Sequence, residues 1–289
     1  MTRLFKTALL ASAAAALSMG AAPGKTALAA GDFYAGKTIT IIAGFRPGGG
    51  IDGNARLIAR HFGKFIPGTP KMLVKNIPGA AGGVAANFMY NKAKKDGLTT
   101  AVPGRGWPLT KLLGDPGVRF EPLKFTFLGS PGVDNGFLWV HSRLGIKNLD
   151  QLRKSKKKVV LAAYSKSGYQ LNVPLILAKH GWPLKPLAGY RGTSKTLLAI
   201  ERKEVDGIWL PWGSIQSARR DMLDDKVVIP LMQTHKIKPG IPWLMDFIPD
   251  ADKALINLMI AQVGFGVPFI APPGVPADRA KLLRDGFMK

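Results

Sequence analysis

Residues 39–52 constrain this chain more than any other stretch. The apolar run Ile39-Thr40-Ile41-Ile42-Ala43 reads as a strand, breaks at Phe45-Arg46-Pro47 into Gly48, Gly49 and Gly50, and enters a helical segment past Asp52. Glycines let a chain turn sharply with its main-chain N–H groups bare. The helix that follows directs its unpaired first-turn amides and the positive end of its dipole at the same point. The product is a seat for an anion. A second turn of this kind follows, from strand-like residues 72–76 through Ile77-Pro78-Gly79-Ala80-Ala81-Gly82-Gly83 into a helical run over 84–94.

The N-terminus supplies the compartment. Arg3 and Lys6 precede an uncharged Ala/Leu-rich run, and Ala27-Leu28-Ala29 offers the small residues of a cleavage site, so residues 1–29 are expected to be a secretory signal peptide cut near Ala29. The run is too short and too rich in alanine for a good membrane span, and no later stretch reaches about 18 uncharged apolar residues. The chain has no Cys, which removes disulfides, thiolate chemistry and a lipid-anchor thiol. Export to a bacterial-type periplasm follows as the expectation.

Charge narrows the partners. Lys and Arg total 41 against 18 Asp and Glu; removing Arg3, Lys6 and Lys25 with the leader leaves 38 minus 18, or +20. Such an excess suits nucleic acid, an anionic surface or an anionic small ligand. No nucleic-acid-binding signature accompanies it, and the basic residues are scattered except at 153–158, which reads as a solvated helix end.

Short apolar runs alternate with amphipathic ones. Strands are expected at 38–45, 72–76, 98–102, 125–129, 136–140, 159–164, 186–190, 205–210 and 227–231. Ile51, Ala55, Ile58, Phe62 and Phe65 recur at four, three, four and three residues, one apolar helix face, with Asp52 at the N-cap position. Strands alternating with helices predict an α/β fold with mainly parallel sheets, in one large or two small domains. Ligands of such sheets sit where strands exit into helices. That points to the loops at 45–52, 77–83, 103–107, 164–169 and 190–193.

Enzyme signatures are thin. Gly48, Gly50 and Gly53 match G-x-G-x-x-G, yet no acid lies between Asp52 and Asp96 to hold a ribose, and the loop lacks the Lys-Ser/Thr of a phosphate-binding loop. There is no G-x-S-x-G elbow. His61, His141, His180 and His235 stand isolated, without metal-ligand spacing. No cofactor and no metal are expected. The alternatives are a secreted α/β hydrolase and a basic exported protein that binds acidic surface polymers.

Five motifs in order carry a family resemblance: Pro47-Gly48-Gly49-Gly50-x-Asp52 with Ala55-Arg56; Asn76-x-Pro78-Gly79-Ala80-x-Gly82; Lys95-Asp96-Gly97; Val205-Asp206-Gly207; and Ala271-Pro272-Pro273-Gly274-Val275-Pro276. Together they resemble the substrate-binding proteins of tripartite tricarboxylate transporters, the Bug or TctC-like family, over nearly the whole exported chain. The resemblance implies a two-lobed periplasmic-binding-protein-like fold of type II. Lobe 1 would comprise 30–133 plus 256–289 and lobe 2 residues 134–255. It further implies a monomer that holds a small organic carboxylate between the lobes and delivers it to membrane permease subunits, without catalysis.

Carried over by position, the ligand contacts would be Phe45, Pro47, Gly48 and Gly49, then Ala80, Ala81 and Gly82. From the second lobe come Ser165, Ser167 and Gly168, with Tyr190 and Gly192. Arg46 and Arg105 depart from the family's usual neutral or small residues and join the candidate contacts as partners for a second carboxylate; Lys166 departs likewise. Asp52 is expected to cap its helix, and Asp206 to end a strand and organise the lobe crossing or a cleft wall. Trp107, Trp209, Trp212 and Tyr169 are candidates for an aromatic wall, with core packing expected for at least two. The chain stops inside what reads as a helix begun near Pro276, whereas members of the resembled family usually continue further; loss of such a following helix would expose apolar core surface around Leu282, Leu283 and Phe287.

Overall fold

The computed structural model describes residues 32–132, 134–166, 168–190 and 192–289. The expected signal peptide and Ser167 lie outside the described residues. In chain order the first elements are β1 (Thr38–Ala43), α1 (Gly50–His61), β2 (Lys71–Asn76), α2 (Gly83–Asn91), β3 (Thr99–Val102), α3 (Trp107–Leu112), β4 (Thr126–Gly129) and β5 (Gly136–His141). Then come α4 (Leu149–Arg153), β6 (Val159–Ala163), α5 (Tyr169–Lys179), β7 (Leu184–Ala188), α6 (Thr193–Glu201) and β8 (Gly207–Pro211). The chain continues through α7 (Trp212–Ala218), α8 (Asp221–Asp224), β9 (Val228–Gln233), α9 (Asp250–Gly264), β10 (Phe269–Ala271) and α10 (Ala277–Phe287).

The strands form two five-stranded sheets, ordered β2-β1-β3-β10-β4 and β7-β6-β8-β5-β9. Both are mixed, a refinement of the mainly parallel expectation. In each, three strands run parallel, and β10 or β5 then pairs antiparallel with both its neighbours. The reason is topological. Each of these two strands enters its sheet from the crevice, where β3 and β8 leave theirs, and so runs the other way. β10 is only three residues long. A pattern that short carries no period of two, and it escaped prediction.

The first helix follows its apolar stripe with one change. Ile51 and Ala55 are buried, and Ile58 and Phe62 pack against the same core as Ile39, Ile41 and Phe269. Each large apolar side chain buried here contributes roughly 1.5–3 kcal/mol. After His61 the chain tightens into a 3-10 turn, Phe62–Phe65, which swings Phe65 out to 42% exposure instead of onto the predicted face. The second core gathers Leu138, Leu161, Val173 and Trp209, and α9 adds Ile256, Met259, Ile260 and Val263 to it. On α10, Leu283 is fully buried and Phe287 packs edge-on against Phe62 at 5.6 Å.

The two Asp-Gly motifs occupy matching places, just before β3 and β8. Asp96 accepts from the Leu98 N–H at 2.9 Å; Asp206 accepts from the Val160 N–H at 2.8 Å and from Arg143 at 2.5 Å. Asp206 therefore starts a strand at the end remote from the crevice, a correction to the cleft-wall role expected of it. No helix among the described residues is long and apolar enough to cross a membrane.

Candidate functional site

The carboxyl ends of β1, β3, β6 and β8 face one another across the gap between the sheets, and the loops after them enclose a cavity of about 260 Å³. Phe45, Arg46, Pro47 and Gly49 line it from the first turn, Ala81 from the second, and Arg105 from the loop after β3. Ser165, Gly168 and Gly192 line it from the other sheet. Ala80 and Tyr190 instead face an adjoining cavity of about 380 Å³.

Two expected contacts stand elsewhere. Gly48 lines neither cavity: its N–H donates to Asp52 at 3.0 Å, and its carbonyl accepts from Ser194 of the opposite lobe at 2.8 Å. Gly82 also lines neither. Its φ of +101° and the 2.0 Å that would separate an added Cβ from the Pro103 carbonyl oxygen make it a packing glycine that fits the second turn against the loop after β3. Lys166 faces neither cavity, and its carbonyl accepts from Asn172.

Three long helices begin at the inner cavity with no side-chain cap. Their N-cap residues are Gly49 for α1, Gly168 for α5 and Gly192 for α6. Gly50 and Ile51, Tyr169 and Gln170, and Thr193 to Lys195 bring the first turns of all three to its wall. First-turn amides have no intrahelical acceptor, and the dipole there is positive. Asp52 is the third residue of α1, not its cap. Its carboxylate is almost fully buried and accepts from Gly48 N–H, from Asn76 Nδ2 at 2.8 Å and from Arg56 Nε at 2.9 Å. Asn76 Nδ2 also donates to the Phe45 carbonyl at 2.8 Å, so this network ties the two glycine turns together. Burial pulls the Asp52 pKa upward, but the hydrogen bonds from Arg56, Asn76 and Gly48 outweigh it, and the net shift is down.

Charge at the cavity is one-sided. Arg46, Arg105 and Lys195 line it, and among the described residues no Asp or Glu does. Arg105 is only 14% exposed and forms an ion pair with Asp134, while its Nε–H is buried without a partner. Arg46 is exposed, with no ion pair among the described residues. Burial raises the Tyr164 phenol, against the hydrogen bond it shares with Thr193 at 3.0 Å and the charge of Arg105. Among the described residues no group of three or more His, Asp or Glu side chains is placed to hold a metal ion.

Of the aromatic candidates, Tyr169 lines the cavity, whereas Trp107 and Trp209 are fully buried in the cores. Trp212 lies tilted against Trp139, ring centroids 5.0 Å apart, and carries Lys238 over its ring at 3.7 Å. The sequence reading placed Thr193 in a candidate loop and missed Ser194, Lys195, Gln170, Ser214 and Gln262, all of which line the cavity. Extending each glycine turn by one turn of the following helix would have found the first three of these five. Gln262 lies deep in α9, where no local pattern marks it.

Two mixed-sheet lobes closing on a cavity walled by helix N-termini define the architecture of a two-lobed binding fold. No family model matches the sequence, and no curated protein does either. Solved structures do. MatC of Rhodopseudomonas palustris with bound malate is similar at 20% identity and a TM-score of 0.68, over 87% of this chain and 83% of that one. The periplasmic binding protein BugD matches at 18% identity and 0.64, over 87% and 81%. A second R. palustris protein, with adipate, matches at 17% and 0.65, over 87% and 82%. At these identities the likeness establishes the fold: this chain has the two-lobed α/β fold of those binding proteins.

Proposed function

We propose that this chain is the periplasmic substrate-binding component of a tripartite tricarboxylate-type transporter, exported after cleavage near Ala29. It captures a small organic carboxylate between its lobes and presents it to membrane permease subunits, acting as a monomer without cofactor or chemical conversion. We also infer that lobe 1 spans 30–133 and the chain from β10 onward. The packing of α9 with the second core supports extending lobe 2 to Gly264.

The observation that carries the reading is the cavity wall. Three uncapped helix starts from both lobes and the cations Arg46, Arg105 and Lys195 surround a space that no acidic side chain among the described residues lines. Such a wall stabilises negative charge and gives a neutral or cationic solute nothing comparable. Malate and adipate in two structures of the same fold agree with it. For a hydrolytic alternative, no His, Asp or Glu among the described residues lines the cavity beside Ser165, Ser194 and Ser214 to activate them.

A thermal-shift screen against mono-, di- and aromatic carboxylates tests this directly. A true ligand at a hundredfold excess over its Kd adds about 2.7 kcal/mol of stability by mass action. At least one carboxylate is expected to raise Tm, and a broad panel that leaves the Tm of folded protein untouched would refute the assignment.

A further inference from the structure

The crevice is divided. Phe45 from the first lobe and Tyr164 from the second face each other with ring centroids 6.1 Å apart. Both rings, with Arg46, Ala81 and Gly192, line the inner chamber and the outer one alike, so they form the wall between them. The wall is low where Ala81 and Gly192 contribute a methyl group and no side chain.

The two chambers differ in chemistry. Arg105, Lys195 and the first turns of α1, α5 and α6 line only the inner one, while Gly192, the N-cap of α6, borders both. The outer one is walled by Pro78, Gly79 and Ala80 on one side and by Gly189 and Tyr190 on the other, and among the described residues the shared Arg46 is the single charged side chain that lines it. Tyr190 is half-buried with its ring against the second lobe's core, which fixes that wall in place. At about 260 Å³ the inner chamber alone is at the small end for a ligand site; the outer chamber, at about 380 Å³, is the larger of the two.

We propose that the ligand is a tailed carboxylate. Its anionic head occupies the inner chamber, and an uncharged alkyl or aryl tail passes beside the Phe45–Tyr164 pair, over Ala81 and Gly192, into the outer chamber. This rests on the carboxylate reading of the inner chamber and specifies the rest of the molecule. Aromatic edges at the wall favour an aryl tail, and among the described residues the outer chamber has no cation of its own for a second carboxylate.

Calorimetric titration with propanoate, 3-phenylpropanoate and hexanedioate tests it. Each buried methylene strengthens binding roughly fourfold, so 3-phenylpropanoate is expected to bind at least about tenfold more tightly than propanoate. Pro78→Trp, at an exposed position facing only the outer chamber, should collapse that ratio to within about twofold by filling the space. Tyr190→Ala should reduce it by removing the wall. Equal affinity for propanoate and 3-phenylpropanoate, a preference for hexanedioate, or a ratio that survives both variants overturns the proposal while leaving the carboxylate site standing. Binding of none of these acids, nor of any other carboxylate, overturns both.

Discussion

Replacing Asp52 with Asn tests the network that holds the anion seat in shape. The carboxylate is 4% exposed and accepts three hydrogen bonds, from Gly48, Asn76 and Arg56. An amide keeps the volume but turns one acceptor into a donor facing other donors. The Arg56 bond counts least, because that side chain is 48% exposed and solvent replaces it at a cost of up to about 1 kcal/mol. A buried donor left without its acceptor costs about 1–3 kcal/mol. The total is about 1–4 kcal/mol, or a Tm lower by about 2–16 °C in a protein of this size. Scanning calorimetry at several pH values checks it. The folded pKa of Asp52 is depressed below its ordinary value of 3.8, so its contribution is fully present above that value and disappears as pH falls through the folded pKa. The gap between wild type and variant should therefore be widest near neutrality and close in acid. An equal Tm at neutral pH, or a gap that ignores pH, would refute the account.

Ser194→Ala removes the bond from its Oγ to the Gly48 carbonyl that links the lobes. A neutral hydrogen bond contributes about 0.5–1.5 kcal/mol, so the Kd of a bound carboxylate should rise roughly two- to tenfold, and an unchanged Kd would show that the bond does not bias closure. Arg105→Ala should weaken carboxylate binding, whereas Asp134→Asn, which releases Arg105 from its ion pair, should strengthen it; titrations that move both in the same direction would exclude competition between Asp134 and ligand. Ala81 sits at φ +50° and ψ +33°, a left-handed conformation costing a non-glycine residue roughly 1–2 kcal/mol. Ala81→Gly should consequently raise Tm by a few degrees after the entropy of glycine is set against it, and a lower Tm in thermal unfolding would mean that the alanine methyl packs more than it strains.

Local chemistry made much of this architecture legible. The glycine turns after β1 and β2, the apolar stripe of α1 and nine of the strands leave signatures within a few residues of themselves. The fold class and several of the cavity loops followed from those signatures. What stayed hidden was set at long range. Gly48 reads as a ligand contact until Asp52 and Ser194 are seen to take its amide and its carbonyl. Gly82 looks like part of an anion seat, but its lack of a side chain answers to Pro103, more than twenty residues away. Asp206 sits at the end of its strand remote from the crevice because β8 runs parallel to β6, a pairing that its own sequence does not reveal. Gln262 reaches the cavity only because α9 packs against the far lobe.

The single-residue register between β10 and β3 carries a consequence for how the chain matures. Among the described residues β4 has no sheet neighbour other than β10, and the two are separated by some 140 residues of intervening chain. As the polypeptide emerges amino end first, residues 126–129 must wait, unpaired, for a three-residue segment made after the whole of the second sheet. The lobe begun first is thus the lobe finished last, and its open edge along β3 is the surface a holding chaperone would have to cover in the meantime.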